Sequence, residues 1–127
     1  MSETVLDASA LVAHARREPG HERVEALLLR ASVSAVNLAE FVARMLDEGF
    51  APNAVRLMVA ALPCKIEPLN ETAALETDLL RTGTRRRGLS LGDRACLALG
   101  AQLGLPVITA DRAWSQLDLG VEVVLIR

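Results

Sequence analysis

The chain has 127 residues, enough for one domain with a full core, and 51% of them are hydrophobic. Its formal charge of −2 and sequence pI of about 5.7 count against a simple electrostatic nucleic-acid binder, for which a pI above about 9 is usual. No apolar run approaches the roughly 18 to 20 residues of a membrane span, and no basic segment precedes the early apolar stretch that Asp7 interrupts; neither a membrane anchor nor a signal peptide is expected, and the protein is read as cytoplasmic.

In chain order, TVL before Asp7 predicts a short buried strand, and ASALVAHARRE predicts a helix with Leu11, Val12 and Ala15 at helical spacing. Pro19 and Gly20 end that helix. HERVEALLLR places Val24, Leu27 and Leu28 on one helical face, SVSAV is a strand candidate, and a helix is expected from Asn37 to about Glu48, closed by Gly49. Pro52 opens the helix NAVRLMVAAL, which stops at Pro63 before a strand candidate in CKIEPL. Asn70 caps a helix through about Thr82, and the basic run Arg85, Arg86, Arg87 with Gly88 forms a hinge or ragged helix end before the helix LSLGDRACLALGAQLG. VIT and VEVVLI are the last strands. Strands alternating with helices at this spacing predict an α/β fold with a parallel sheet covered on both faces. With two Phe, one Trp and no Tyr, the core must be built from Leu, Val and Ala. Cys64 and Cys96 form no CxxC pattern and read as buried free thiols.

Four acids on four segments carry the chemistry: Asp7 in VLDAS, Glu40 in NLAEF, Asp93 in LSLGDR and Asp111 in ITADR. Asp7 and Asp111 fall at the carboxyl ends of predicted strands, where open α/β sheets bind their ligands. Asn37 and Ser90 each stand three residues before an acid, so Glu40 and Asp93 fall in the first turns of helices, and both pairs fit a capping box. Asp7 and Asp111 fit helix caps as well. Capping explains each acid singly but not why four gather at one sheet edge. Clustered carboxylates repel one another unless cations neutralise them, and hard oxygen ligands suit Mg²⁺ or Mn²⁺. Such ions activate water and stabilise charge on phosphodiester oxygens. Ser9 and Thr109, each two residues from an acid, are candidates to hydrogen-bond ligands or water around the metal, or to cap locally.

VLDASAL, NLAEF, LSLGDRACLALG and LPVITADRAW resemble, in order and spacing, the motifs of PIN domains, particularly the VapC toxins of bacterial toxin–antitoxin pairs. The resemblance spans essentially residues 1–127. It implies a single three-layer α/β/α sandwich with a central parallel sheet, Mg²⁺- or Mn²⁺-dependent endoribonuclease activity, a homodimer and inhibition by a small antitoxin. Carried over by position, the metal-binding and catalytic quartet is Asp7, Glu40, Asp93 and Asp111, with Ser9 as a polar support.

Only Lys65 among the fourteen Lys and Arg residues is lysine. Arginine's planar fork suits phosphate, so Arg85, Arg86, Arg87, Arg94 and Arg112 are candidates to position RNA; a solvated basic surface, or pairing of Arg94 or Arg112 with a carboxylate, is the plainer reading. His14 and His21 flank a predicted turn as surface residues, away from the acids. Glu71, Glu76 and Asp78 read as a solvated helix face. The rival readings are a phosphoacceptor signalling module and a catalytically silent interaction domain. A phosphoacceptor calls for paired acids after the first strand and a lysine after a late one, whereas Asp7 is followed by Ala8 and Ser9 and the sole Lys65 lies elsewhere.

Overall fold

The computed structural model describes residues 1–84 and 87–127. Strand β1 (Thr4–Leu6) leads into α1 (Ala8–Arg16), α2 (His21–Leu27) with a 3-10 turn at Leu28–Arg30, and β2 (Ala31–Ser34). Helices α3 (Ala35–Asp47) and α4 (Pro52–Ala60) precede β3 (Lys65–Glu67). Then come α5 (Glu71–Leu79), α6 (Arg81–Thr84), α7 (Leu91–Leu103), β4 (Val107–Thr109), a 3-10 turn at Arg112–Gln116 and β5 (Val123–Leu125).

The five strands are parallel in the order β3-β2-β1-β4-β5. β1 is central, with Val5 opposite Ser32 on one side and Val107 on the other. Successive strand residues point to opposite faces, and the core divides accordingly. Leu6 and Ile108 pack with α1 to α4 around Leu11, Phe41 and Met45. Val5 and Val107 pack on the other face with Cys96, Leu97 and Trp114. Both faces are covered, giving an α/β/α sandwich. The chain steps outward from β1 through β2 to β3 and then returns to β4 on the far side, so the switch in strand order falls between β1 and β4. A crevice for ligands opens at the carboxyl ends of strands at such a point.

Three element boundaries differ from the sequence reading. Helix α3 starts at Ala35 rather than Asn37, because the Ser34 hydroxyl accepts from Val36 N at 3.2 Å and caps the helix. The expected single helix from Asn70 breaks after Leu79: Thr82 Oγ1 donates to the Leu79 carbonyl at 2.9 Å and Thr84 Oγ1 to the Leu80 carbonyl at 2.7 Å, side-chain bonds that compete with and bend a helix. VEVVLI pairs only over Val123–Leu125. The histidines are also less exposed than expected. The His21 side chain is 15% exposed and pairs with Glu22, and His14 Nδ1 is buried.

No helix among the described residues is long and apolar enough to cross a membrane.

Candidate active site

Asp7 follows β1 directly, and its backbone N–H donates to the Ile108 carbonyl of β4 at 3.2 Å, which places it at the switch point. Its carboxylate accepts three hydrogen bonds. Oδ1 accepts from Ser9 Oγ at 2.7 Å and from Ala10 N at 2.9 Å, and Oδ2 accepts from Thr109 Oγ1 at 2.6 Å. The side chain thus caps α1 and ties β1 to β4. A carboxylate offers about four acceptor positions, so one position on Oδ2 stays available. Asp7 is only 5% exposed. Burial pushes its pKa up to about 6 against the three hydrogen bonds, with a smaller push from the Asp93 charge. Thr109 Oγ1 also accepts from Asp111 N at 3.0 Å, and Ser9 Oγ accepts from Ala110 N at 2.9 Å. Ser9 and Thr109 therefore link the two strand-end acids.

Glu40 lies in the second turn of α3, outside any cap. Asn37, one turn earlier and 1% exposed, donates from Nδ2 to Glu40 Oε1 at 2.9 Å and to the Gly92 carbonyl of α7 at 3.0 Å. The carboxylate rests on Gly92, where a Cβ would collide with it. Glycine in a helix costs about 1 kcal/mol relative to alanine, and the close approach of Glu40 explains why one is placed here. The expected capping pair of Asn37 and Glu40 is corrected to this clamp between α3 and α7.

Asp93 does occupy a capping box, its Oδ2 accepting from Ser90 N at 3.0 Å while Ser90 Oγ accepts from Asp93 N at 3.1 Å. Asp111 caps the last 3-10 turn, accepting from Ala113 N at 3.0 Å, and is exposed. Cys96, one turn beyond Asp93, is fully buried. Burial and then the charges of Asp7, Asp93 and Glu40 raise its pKa well above that of a free thiol. Glu40 thus rests on, and Asp93 belongs to, the first turn of α7, while Ser9 and Thr109 tie Asp7 to the strand end that carries Asp111. Among the described residues no three acidic, histidine or cysteine side chains converge, in these rotamers, into a ready set of ligands for one ion. Asp93 and Asp111 are turned to their caps.

The donor set nonetheless fits a hard divalent cation. A buried carboxylate with a raised pKa, an open acceptor position and further acids within its field is destabilised until a cation neutralises it. Asp7, Glu40, Asp93 and Asp111 are the residues that would hold such an ion.

The arginine candidates scatter. Arg94 is largely buried, donating to the Leu89 carbonyl at 2.8 Å and to Asp78 of α5 at 2.9 Å; Asp78 is thus a partner rather than only solvated. Arg112, next to Asp111, and Arg87 are exposed. Arg85 and Arg86 lie outside the described residues. Two contributors escaped the sequence reading: Asn37, taken only for a cap, and Gly92, whose signal was a glycine inside an otherwise well-formed helix.

A family model described as PIN domain matches residues 4–119. The chain belongs to the PIN domain family. Members of this family are nucleases that generally use divalent metal ions. Among solved structures, a DNA-bound VapBC from Salmonella typhimurium is 19% identical, with TM-score 0.77 and all of both chains covered. A toxin–antitoxin complex from Klebsiella pneumoniae is 18% identical, with TM-score 0.76 and 98% of each chain covered. VapBC-5 from Mycobacterium tuberculosis is 25% identical, with TM-score 0.60 and 100% of this chain and 99% of that one covered. These likenesses show that the sandwich seen here is the fold of PIN domain structures. No curated protein matches the chain in sequence.

Proposed function

We propose that this PIN domain is a VapC-type toxin: a cytoplasmic, Mg²⁺- or Mn²⁺-dependent endoribonuclease, homodimeric and held in check by a small antitoxin. The observation that supports the reading is the buried Asp7 carboxylate at the β1/β4 switch point, tied through Thr109 to Asp111, with Glu40 seated against the first turn of α7, the turn that carries Asp93. Capping does not account for Glu40, which caps no helix.

When bound, a divalent cation supplies an acidified water and neutralises charge on the phosphodiester. The chain's own work is positioning. Ser9, Ala10 and Thr109 fix the Asp7 carboxylate and leave one Oδ2 position open; Asn37 and Gly92 seat Glu40; Asp93 and Asp111, which cap their helices here, would hold the cation once turned from those caps. Water attacking phosphorus in line leaves a 5′-phosphate and a 3′-hydroxyl. Cyclic phosphate products would show that the ribose hydroxyl is the nucleophile and refute this mechanism.

An apolar groove of about 550 Å³ between α3 and α4, lined by Val42, Leu46, Val55 and Val59, offers the apolar surface on which an antitoxin helix would dock. The solved relatives named above are toxin–antitoxin complexes or VapBC assemblies, which supports a protein partner of this kind. A basic antitoxin side chain placed among the acids would block metal or RNA.

The test is cleavage of a structured RNA pool by purified protein with Mg²⁺ or Mn²⁺, alongside EDTA and Asp93→Asn. Cleavage lost in both controls supports the reading. Cleavage that survives Asp93→Asn places the chemistry elsewhere, and a purified protein that cuts no RNA under any of these conditions favours the silent interaction domain.

A further inference from the structure

The groove between α3 and α4 lies in a stretch of distinctive composition. From Gly49 to Cys64 the one charged residue is Arg56, in a chain of which 24% is charged. Much of that stretch faces solvent: Leu57 is 73% exposed, and Phe50 and Arg56 are exposed as well. Pro52, Arg56 and Ala60, four residues apart, form one ridge along α4 beside Val55 and Val59. Arg56 therefore stands midway along the groove, the single guanidinium in a wall that is otherwise apolar. It makes no ion pair among the described residues. At the end of α3, Glu48 is taken by Arg16 and Arg44.

We infer that the helix this groove accepts is acidic: its apolar side chains lie against Val42, Leu46, Val55 and Val59, and a carboxylate at the edge of that stripe meets Arg56. The inference rests on the toxin reading, which docks an antitoxin helix here, and deepens it by naming what that helix must carry. The reason is desolvation. An apolar helix laid on the groove takes Arg56 out of water, and a guanidinium cannot shed its charge. Left without a counter-charge it opposes binding; a carboxylate on the partner relieves this through charge-assisted, bidentate hydrogen bonds. Two copies of this chain meeting symmetrically through the same face lack the required group, because residues 49–64 hold no acid and one Arg56 would approach the other. Arg56 thereby discriminates among helices whose apolar faces fit equally, since a basic residue at the same place is repelled.

The probes are two synthetic helical peptides with the same leucine stripe at i, i+3, i+4 and i+7 and either Glu or Lys beside it. Each is titrated by calorimetry into the full chain, into Arg56→Glu and into Arg56→Met, while the backbone amides of Val42, Leu46, Val55 and Val59 are followed by NMR. The Arg56 side chain is exposed, so neither substitution removes a packed group, and urea melts check that both variants fold. The Glu peptide is expected to move those amides and to bind wild type about 10-fold more tightly than the Lys peptide. The preference should vanish in Arg56→Met and reverse in Arg56→Glu. The formal charge of −2 favours the Lys peptide, so a preference for Glu reports the groove and not the protein as a whole. Equal binding of both peptides to wild type, a preference unchanged in Arg56→Glu, or movement only of amides outside the groove overturns the inference. So does sedimentation showing a wild-type dimer that the Glu peptide dissociates, for the occupant is then a second copy. Cleavage of RNA by wild type in Mg²⁺ or Mn²⁺ is measured alongside. If the peptides fail to discriminate while RNA is cut, the acidic-helix inference falls and the ribonuclease reading stands. If the Glu preference holds in protein that cuts no RNA, the groove assignment stands and the ribonuclease reading falls.

Discussion

At the scale of single residues, Asp7 carries the most consequential chemistry. Its pKa, raised to about 6 by burial, lies above the ordinary value of 3.8 that it has in the unfolded chain. Between those values the folded state holds the extra proton, so stability falls as pH rises through this window. The contribution is fully present below about pH 4 and lost above about pH 6. A shift of some two units corresponds to a difference on the order of 3 kcal/mol. Asp7→Asn removes the charge and retains the acceptor that Ser9 and Ala10 use. Without divalent metal, the variant should therefore melt higher than wild type at pH 7 to 8 and similarly near pH 4. Thermal melts across that range check this; a gap that stays constant with pH would mean that ionised Asp7 is not what destabilises the fold. Gly92 offers a second residue-scale test. Gly92→Ala should improve local helix propensity by about 1 kcal/mol yet displace the Glu40 carboxylate. Cleavage is expected to fall about 10- to 100-fold, the usual effect of disturbing groups that orient metal ligands, while urea denaturation changes little.

At the scale of elements, the strands and helices were legible because their signals are local: β-branched runs before Asp7 and Asp111, Pro52 at a helix start, Ser90 three residues before Asp93. The boundaries that escaped were set by competition between equally good local partners. Ser34 and Asn37 are both able to cap α3; Ser34 wins, and Asn37 is then free to turn inward and bridge α3 to α7. That bridge spans 55 residues of sequence, so no local pattern reveals it. The same holds for Arg94 and Asp78, whose pairing depends on α5 packing against α7. The acids of the candidate site were visible because their motifs are short and local, whereas the side chains that hold them came from tertiary contact. The two serine and asparagine roles separate experimentally. Ser34→Ala removes only a cap and should cost about 1 kcal/mol, with cleavage unaffected in protein that remains folded. Asn37→Ala removes the side-chain donor that the Gly92 carbonyl has besides its own helix, a cost of about 0.5–1.5 kcal/mol, and also frees Glu40. It should lower both the urea midpoint and the cleavage rate. Equal effects of both variants on kcat would refute the clamp.

At the scale of the whole molecule, the four acids come from segments as far apart as Asp7 and Asp111, and only the assembled sheet brings β1 beside β4. The unfolded chain holds no such set. A divalent cation that binds there consequently binds the folded state alone, and linkage requires it to raise stability, by about 2.7 kcal/mol at a concentration a hundredfold above its Kd. Protons compete for the same oxygens. Because burial already raises Asp7 to about 6, that competition begins near pH 6 rather than near 4. The melting temperature in excess Mn²⁺ or Mg²⁺ should therefore rise by several degrees at pH 8, by less at pH 6 and by little at pH 5. In Asp7→Asn the rise should be largely lost at every pH, because the buried charge that the cation neutralises is gone. Trp114 follows Asp111 in the same 3-10 turn and is buried in the core on the α7 side of the sheet, so its fluorescence gives an independent reading of the same titration. A metal-induced rise undiminished in Asp7→Asn would place the cation at some other part of the surface and separate the fold from the chemistry assigned to it.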